Sequence, residues 1–500
     1  MSALRSAGAA LVTALLLGGC IGSGGIRPHE SPIDPATLDP GVAIRDTQHD
    51  AQWPSGDWWR RWGDPQLDTL VDDATAGNPG LRVVQARLDA ANFQAQIAGA
   101  AQLPQLGMSG NFERRRYARY NTPAPPGGTT VWSNSVSADL SYDLDLWGKS
   151  RAIREGALDN VHAVAADARF AEVELQTAMV RAYVQLSLQY ALLDVYGSVQ
   201  ADQQHTLDIA TRRLQAGIGS RLDVSEASTQ LALSTTRVQQ AQQQLALSRI
   251  AIAGLAGKGP GFGDALQRPR LALDVPVALP ASLPAELIGH RPDVVAARWR
   301  VQTASQDIDA AHADFYPDID LLATASLGSA ATFGGFLNLV NSDGVGHGFG
   351  AAISLPIFDG GRRRGRYGVA VASKDAAVDS YNQTVIDAMQ SVAMQVVSLR
   401  SLDQQQASVE ATLDSARRSF RLADTGYRNG ITEFLNVLAA QNVQLQEQES
   451  LAAVQAKRLD AWALLMKELG GGTDGATVDA PPGPNPNAAT PDPTETADAR

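Results

Sequence analysis

Residues 135–144 read Ser135-Val136-Ser137-Ala138-Asp139-Leu140-Ser141-Tyr142-Asp143-Leu144. Apolar Val136, Ala138, Leu140, Tyr142 and Leu144 alternate with small or acidic neighbours. A period of two puts the two sets on opposite faces, so the stretch predicts a strand with one apolar and one polar side. The pattern recurs at Ile319, Leu321, Ala323, Ala325 and Leu327, which alternate with Asp318, Asp320, Leu322, Thr324 and Ser326. It recurs again at Phe349, Ala351, Ile353, Leu355 and Ile357, and more weakly at Leu106, Met108 and Phe112. Such strands suit a sandwich with one wet face, or an outer-membrane barrel whose apolar side meets lipid. Gly344, Gly346, Gly348 and Gly350 open one of these strands rather than a helix, so they do not form a phosphate loop.

The number of strands limits the choice. The smallest barrels have about 8 strands, and an open sheet in lipid leaves backbone groups unpaired at several kcal/mol each. If four strands of this chain span a membrane, the chain must oligomerise. Three copies supply twelve strands, with the polar faces lining the lumen.

Outward from the strands, the chain repeats itself. Residues 78 to 257 are echoed by 291 to 470 at a constant offset of 213. Asn78-Pro79 meets Arg291-Pro292, Leu103-Pro104 meets Tyr316-Pro317, and Leu140-Ser141 meets Ile353-Ser354. Gly148-Lys149 meets Gly361-Arg362, Gly217 meets Gly430, Leu222 meets Leu435, and Gly257 meets Gly470. A repeat this long implies two similar structural halves.

Between Pro126 and Pro260, and again between Pro356 and Pro481, the chain has no proline. Both gaps are rich in helix formers. Phe170, Val173, Thr177, Val180, Val184, Leu188, Ala191 and Val195 recur at spacings of three and four, and so do Val378, Tyr381, Val385, Ala388, Val392, Val396 and Leu399. This is coiled-coil-like packing. The predicted helices run from about Lys149 to Leu214, Leu222 to Ala256, Arg363 to Tyr427 and Glu433 to Leu469. The first would be ~100 Å long at 1.5 Å per residue, which belongs to a rod or tube.

The N-terminus carries an export pattern. Arg5, the apolar run Ala9 to Leu17, and Leu17-Gly18-Gly19-Cys20 read as a secretory signal, too short to cross a bilayer. The last four residues resemble the bacterial lipobox, which implies cleavage after residue 19 and acylation, including palmitate, of Cys20. The alternative is an ordinary signal with an incidental cysteine. Cys20 is the chain's one cysteine, so no disulfide is expected. Ile21 follows it, rather than the aspartate that tends to retain such lipoproteins at the inner membrane. The expected organisation is a signal at 1–19, a lipidated tether at 20–52, a first repeat at 53–257, a connection at 258–290, a second repeat at 291–470 and a disordered tail at 471–500.

A net charge of −12 argues against nucleic acid as a partner. Seven scattered histidines, no cysteine in the body of the chain and no H-E-x-x-H or G-x-S-x-G motif argue against an enzyme, a metal site or a cofactor.

Asp57-Trp58-Trp59, Asp64-Pro65-Gln66-Leu67, Asn78-Pro79, Asp145-Leu146-Trp147-Gly148, Arg213-Leu214 with Gly217, Leu222-Asp223-Val224, and Leu283-Pro284 leading to Arg291-Pro292-Asp293 occur in order. Together with the duplication and the lipobox, they make residues 53 to 470 resemble the TolC-like outer-membrane efflux channels, in their lipoprotein (NodT-type) branch. The resemblance implies an α+β membrane fold: a homotrimeric, twelve-stranded barrel in the outer membrane of a Gram-negative bacterium, continuous with a periplasmic barrel of helices. It implies a passive exit duct for small toxic molecules, docked to a periplasmic adaptor (membrane fusion) protein and an inner-membrane transporter, here expected to be of the RND type. A protein-secretion duct of the type I kind is the alternative. A purely structural coiled-coil lipoprotein is a more remote one.

The resemblance also implies roles for the helical turns. Arg213, Leu214, Gly217, Ile218, Ser220 and Leu222, with Gly430, Ile431 and Leu435, become adaptor-contact tips. Asp424, Tyr427, Arg428, Thr432 and Glu433 become periplasmic gate candidates. Thr432 and Ala439 stand where some relatives carry aspartates. Arg362, Arg363, Arg364 and Arg366, like Lys149, Arg151 and Arg154, follow strands; they either meet lipid phosphates at the inner rim or begin a solvated helix. Arg114, Arg115, Arg116 and Arg119, with Tyr117 and Tyr120, lie beside an expected external loop containing Pro123, Pro125 and Pro126, where an aromatic girdle would sit.

Overall fold

The computed structural model describes residues 23–47, 52–120, 122, 127–272, 279, 287–331 and 344–473. Cys20, the signal, Pro123, Pro125, Pro126 and the tail beyond Thr473 lie outside the described residues. The principal elements are α1 (Pro65–Gly77), α2 (Pro79–Ala100), β1 (Gln105–Arg116), β2 (Thr130–Asp143), α3 (Lys149–Gln215), α4 (Arg221–Leu255), α5 (Pro292–Ala313), β3 (Asp318–Ala331), β4 (Val345–Ser354), α6 (Arg362–Arg428) and α7 (Phe434–Glu468). Both α3 and α6 are 67 residues long, and both α4 and α7 are 35. The chain forms two compact units, one of residues up to Pro32, Leu88–Ala163 and Ala297–Tyr381, the other of Ile33–Arg87, Val164–Ala296 and Asn382 onward.

The first unit holds the sheet, an antiparallel meander in the order β1-β2-β3-β4. Leu106 pairs with Leu140, Leu140 with Ala323, and Ala323 with Phe349. That register carries the alternating apolar sets of all four strands onto one face, leaving Leu322 and Val131 on the other. Asp139 pairs with Gly107 and Thr324 on the other face, where Thr324 Oγ1 donates to Asp139 Oδ1 at 2.9 Å. β4 stops at Ser354, short of the expected Leu355 and Ile357, because Pro356 has no N–H to donate to a ladder.

Sharp turns lead from the strands into the long helices. Asp145 takes a positive φ of 42° and accepts from Ser150 N and Arg151 N at 2.9 Å each, which caps the start of α3. Asp359 does the same for α6, accepting from Gly361 N at 3.0 Å and Arg363 N at 3.2 Å. Trp147 stacks on Tyr316 at 4.7 Å and donates to Pro317 O at 2.8 Å. Arg363 is buried, bonding Asp359 at 2.8 Å and the Asp314 carbonyl at 3.3 Å, so it is a structural clamp and not a rim residue. Lys149 pairs with Asp314 at 2.7 Å, while Arg362, Arg364 and Arg366 remain exposed.

In the second unit the duplication shows atom by atom. Asn78 Nδ2 donates to the Leu255 carbonyl at 2.8 Å, and Arg291 Nη1 donates to the Glu468 carbonyl at 3.2 Å, at the same offset. Gly257 (φ 68°) and Gly470 (φ 95°) end α4 and α7 in the left-handed region. A side-chain carbon on either would strike the carbonyl of Gly77 or His290. Arg291 adds what Asn78 cannot: ion pairs to Asp293 at 2.7 Å and Glu468 at 2.5 Å, in a site where its side chain is 9% exposed. Trp58, Trp62 and Trp462 are buried and meet at ring separations of 5.7 to 6.4 Å. Asp64 caps α1 through Gln66 N and accepts from the buried Tyr183 hydroxyl at 2.8 Å.

The N-terminal stretch differs from the expected slack tether. In the first unit Ile26 packs on Phe315 and Tyr367, and His29 N and Glu30 N donate to Asp375 of α6 at 3.0 and 3.2 Å. In the second, Ile33 N donates to Asn382 at 2.7 Å, Ile44 is buried, and Thr47 accepts from Arg400 at 2.7 Å. Glycine and proline content suggested disorder, but backbone N–H groups met side-chain acceptors along one helix. Gly470 to Thr473, expected in part to be disordered, are seated against His290, whose Nδ1 lies 3.0 Å from the Thr473 carbonyl and whose own carbonyl accepts from the Thr473 hydroxyl.

Candidate functional site

The two helical hairpins end in turns built to one plan. Gly217 and Gly430 take φ of 77° and 75°, which a residue with a Cβ adopts only at a cost. Ile218 N and Gly219 N donate to the Arg213 carbonyl at 3.0 Å each; Ile431 N and Thr432 N donate to the Gly426 carbonyl at 2.7 and 3.4 Å. The turns differ at the next step. Ser220 and Asp223 form a reciprocal capping box on α4. Glu433 stands at the start of α7 without a side-chain capping bond, and Thr432 Oγ1 instead reaches back to the Ala423 carbonyl at 3.2 Å.

Beneath the turns a small core ties the hairpins together. Ala210, Ala227, Tyr427, Phe434, Val437 and Leu438 are buried in it, with Leu207, Val224 and Phe420 against it. The Arg213 guanidinium lies 4.7 Å from the Tyr427 ring centre and donates to the Tyr427 carbonyl at 2.9 Å. The Tyr427 ring in turn packs on Phe434 at 5.3 Å. Burial, with the Asp223 charge added, pushes the Tyr427 phenol above its ordinary range, so the hydroxyl stays neutral. Arg428 pairs with Asp424 at 2.8 Å one turn back on the same helix.

The sequence-predicted residues therefore separate by environment. Arg213 and Tyr427 join in one interhelical clamp, and Leu214 and Thr432 are half-buried. Ile218, Leu222, Ile431 and Leu435 point to solvent, with 64% to 77% of each exposed. They form two equivalent pairs at the repeat offset. Sequence reasoning missed Phe434, Val437, Leu438, Ala210 and Ala227, although Phe434, Val437 and Leu438 fall at helical spacing and could have been read as a buried stripe.

The sheet is the other functional feature. Its apolar face leaves Leu106, Met108, Phe349 and Ile353 between 71% and 92% exposed. Among the described residues β1 and β4 each have one hydrogen-bonded neighbour. Among the described residues no helix is long and apolar enough to cross a membrane. An apolar sheet face with two open edges is stable in lipid only when the edges are closed.

The sequence matches the family of outer membrane efflux proteins over residues 70–258 and 283–471, segments that start and end at the repeat offset. The chain belongs to that family. The fusaric acid resistance protein FusA of Burkholderia cepacia is 45% identical over 367 residues, 73% of this chain and 69% of FusA. The multidrug resistance outer membrane protein MdtP of Escherichia coli is 27% identical over 435 residues, 85% of this chain and 88% of MdtP. The crystal structure of the outer membrane protein VceC of Vibrio cholerae is similar with a TM-score of 0.77 and 30% identity, covering 84% of this chain and all of VceC. The fold is that of the TolC-like channels, as the resemblance implied. This outer membrane efflux protein is a channel component and not an enzyme, and its place is the outer membrane.

Proposed function

We propose that three copies of this chain close one twelve-stranded barrel, β1 of each copy pairing with β4 of the next, and that the helical hairpins carry small toxic organic compounds from a periplasmic adaptor to that barrel. The carrying observation is the sheet: four antiparallel strands, apolar on one face and polar on the other, with one edge on each side unpaired among the described residues. The adaptor is assigned to the turns because Ile218, Leu222, Ile431 and Leu435 are exposed there in duplicate. An inner-membrane transporter of the RND type supplies the energy, and Cys20, acylated after signal cleavage, anchors the chain. The likeness to FusA makes a hydrophobic pyridine carboxylic acid such as fusaric acid the first substrate to try. Deletion of the gene should sensitise its host to fusaric acid, and the intact gene should restore tolerance. A deletion strain as tolerant as its parent to fusaric acid and to a panel of lipophilic drugs would refute the assignment.

A further inference from the structure

The end of the sheet away from the helices carries a cationic band whose position fits a phosphorylated lipid. All four strands join helices at one end: α2 enters β1, β2 leaves for α3, α5 enters β3 and β4 leaves for α6. The opposite end is formed, among the described residues, by Arg116 and Thr130 on β1 and β2 and by Ala331 and Val345 on β3 and β4. On the barrel reading the helices stay in the periplasm, since no helix among the described residues is long and apolar enough to cross a membrane, and the end away from them faces outward.

Depth on the sheet can be read from β2. On the face of Leu140 it runs from Trp132 to Tyr142, apolar except for the buried Asn134 and aromatic at both limits. Ten residues at ~3.4 Å span ~34 Å along the strand, and a tilt of ~40° projects this to about the 25 Å height of an apolar band. Trp132 thus marks the outer headgroup level. Arg114 pairs with Trp132 across the ladder, with its guanidinium 5.4 Å from the indole centre, and Arg116 pairs with Thr130 one step further out. Both arginines share the face of Leu106, Met108 and Phe112, the face turned to lipid. Arg115 lies on the other face and pairs with Glu113 at 2.7 Å. Among the described residues at this end Glu113 is the one carboxylate, and it pairs with Arg115 rather than with Arg114 or Arg116.

We infer that Arg114 and Arg116 hold the phosphate groups of an acylated, phosphorylated glycolipid in the outer leaflet. Acyl chains lie along the apolar strand face while the phosphates meet two guanidinium groups, whose fixed forks suit a tetrahedral oxyanion. The Trp132 ring limits how far Arg114 can turn and sets it at headgroup depth. The inference rests on the barrel reading above.

The test uses purified full-length trimers in phosphatidylcholine nanodiscs containing diphosphoryl lipid A or its dephosphorylated form, with retained lipid counted by native mass spectrometry. Wild type should retain the diphosphoryl form and not the dephosphorylated one. R114Q/R116Q should retain it roughly 30-fold less, the effect expected for two basic charges at a membrane surface. R115Q should match wild type, and inorganic phosphate should not displace the lipid. Pore conductance of the same preparations should be unchanged by the substitutions. Equal retention by R114Q/R116Q and wild type, equal loss in R115Q, or displacement by inorganic phosphate alone would overturn the inference. Absence of pores in every preparation would refute the barrel and the inference with it.

Discussion

Removing the Arg213 side chain should loosen the hairpin turns and leave the rest of the molecule alone. Arg213 makes two interactions across the hairpins, a hydrogen bond of 2.9 Å to the Tyr427 carbonyl and a cation–π contact of 4.7 Å with its ring. A charged hydrogen bond contributes about 1.5–3 kcal/mol and a partly desolvated cation–π contact about 0.5–2 kcal/mol. Against this, Arg213 Nε is buried without a partner, a desolvation cost that places the net value near the low end, about 2 kcal/mol. That corresponds to roughly a 30-fold larger population of locally opened turns in Arg213→Ala. The assay is native-state hydrogen exchange. Amides of Ile218, Gly219, Ile431 and Thr432 should exchange roughly 30-fold faster, while amides of the sheet and of Trp462 keep their rates. In planar bilayers the variant should also open more often. Unchanged exchange at both turns would refute the clamp, and acceleration throughout the chain would show Arg213 to be a general stabiliser.

Gly217→Val and Gly430→Val each force a branched residue into positive φ at about 1–2 kcal/mol. Trimer yield should hold while cross-linking to the adaptor and resistance are lost, and normal cross-linking in both would move the docking surface elsewhere. Cys20→Ser with a cleavable signal should lose the acyl chains yet still give membrane-embedded complexes, because a closed barrel holds without a lipid anchor; a wholly soluble product would contradict the sheet reading. Arg291→Met strands Glu468 in its buried site and should cost about 3–5 kcal/mol in thermal unfolding, with much of the loss recovered in Arg291→Met/Glu468→Met. If the single variant melts with wild type, the ion pair is not structural.

Much of this architecture was legible because two periodicities never compete in the chain. A two-residue alternation survives in β2 and β3, and proline-free spans with three- and four-residue spacing gave α3 and α6 to within about two residues at their ends. The duplication was legible because glycines that need positive φ, such as Gly217 and Gly430, stay in register. What sequence did not reveal depends on distant partners. Nothing local says that Trp462 meets Trp58, that Arg291 reaches Glu468, or that Asp375 and Asn382 receive the backbone of residues 29 to 33. The turn residues show the same split. Their conformation was readable from glycine chemistry, whereas the capping box of Ser220 and Asp223 was not read and the burial of Tyr427 depends on how two hairpins meet.

Closure of the sheet edges between copies is the central claim, and disulfide cross-linking measures it. In a Cys20→Ser background, cysteine pairs placed one on β1 and one on β4, stepped through successive registers, should yield covalent dimers and trimers and nothing larger in outer-membrane preparations. No cross-link at any register, or a ladder that continues beyond three copies, would contradict the account.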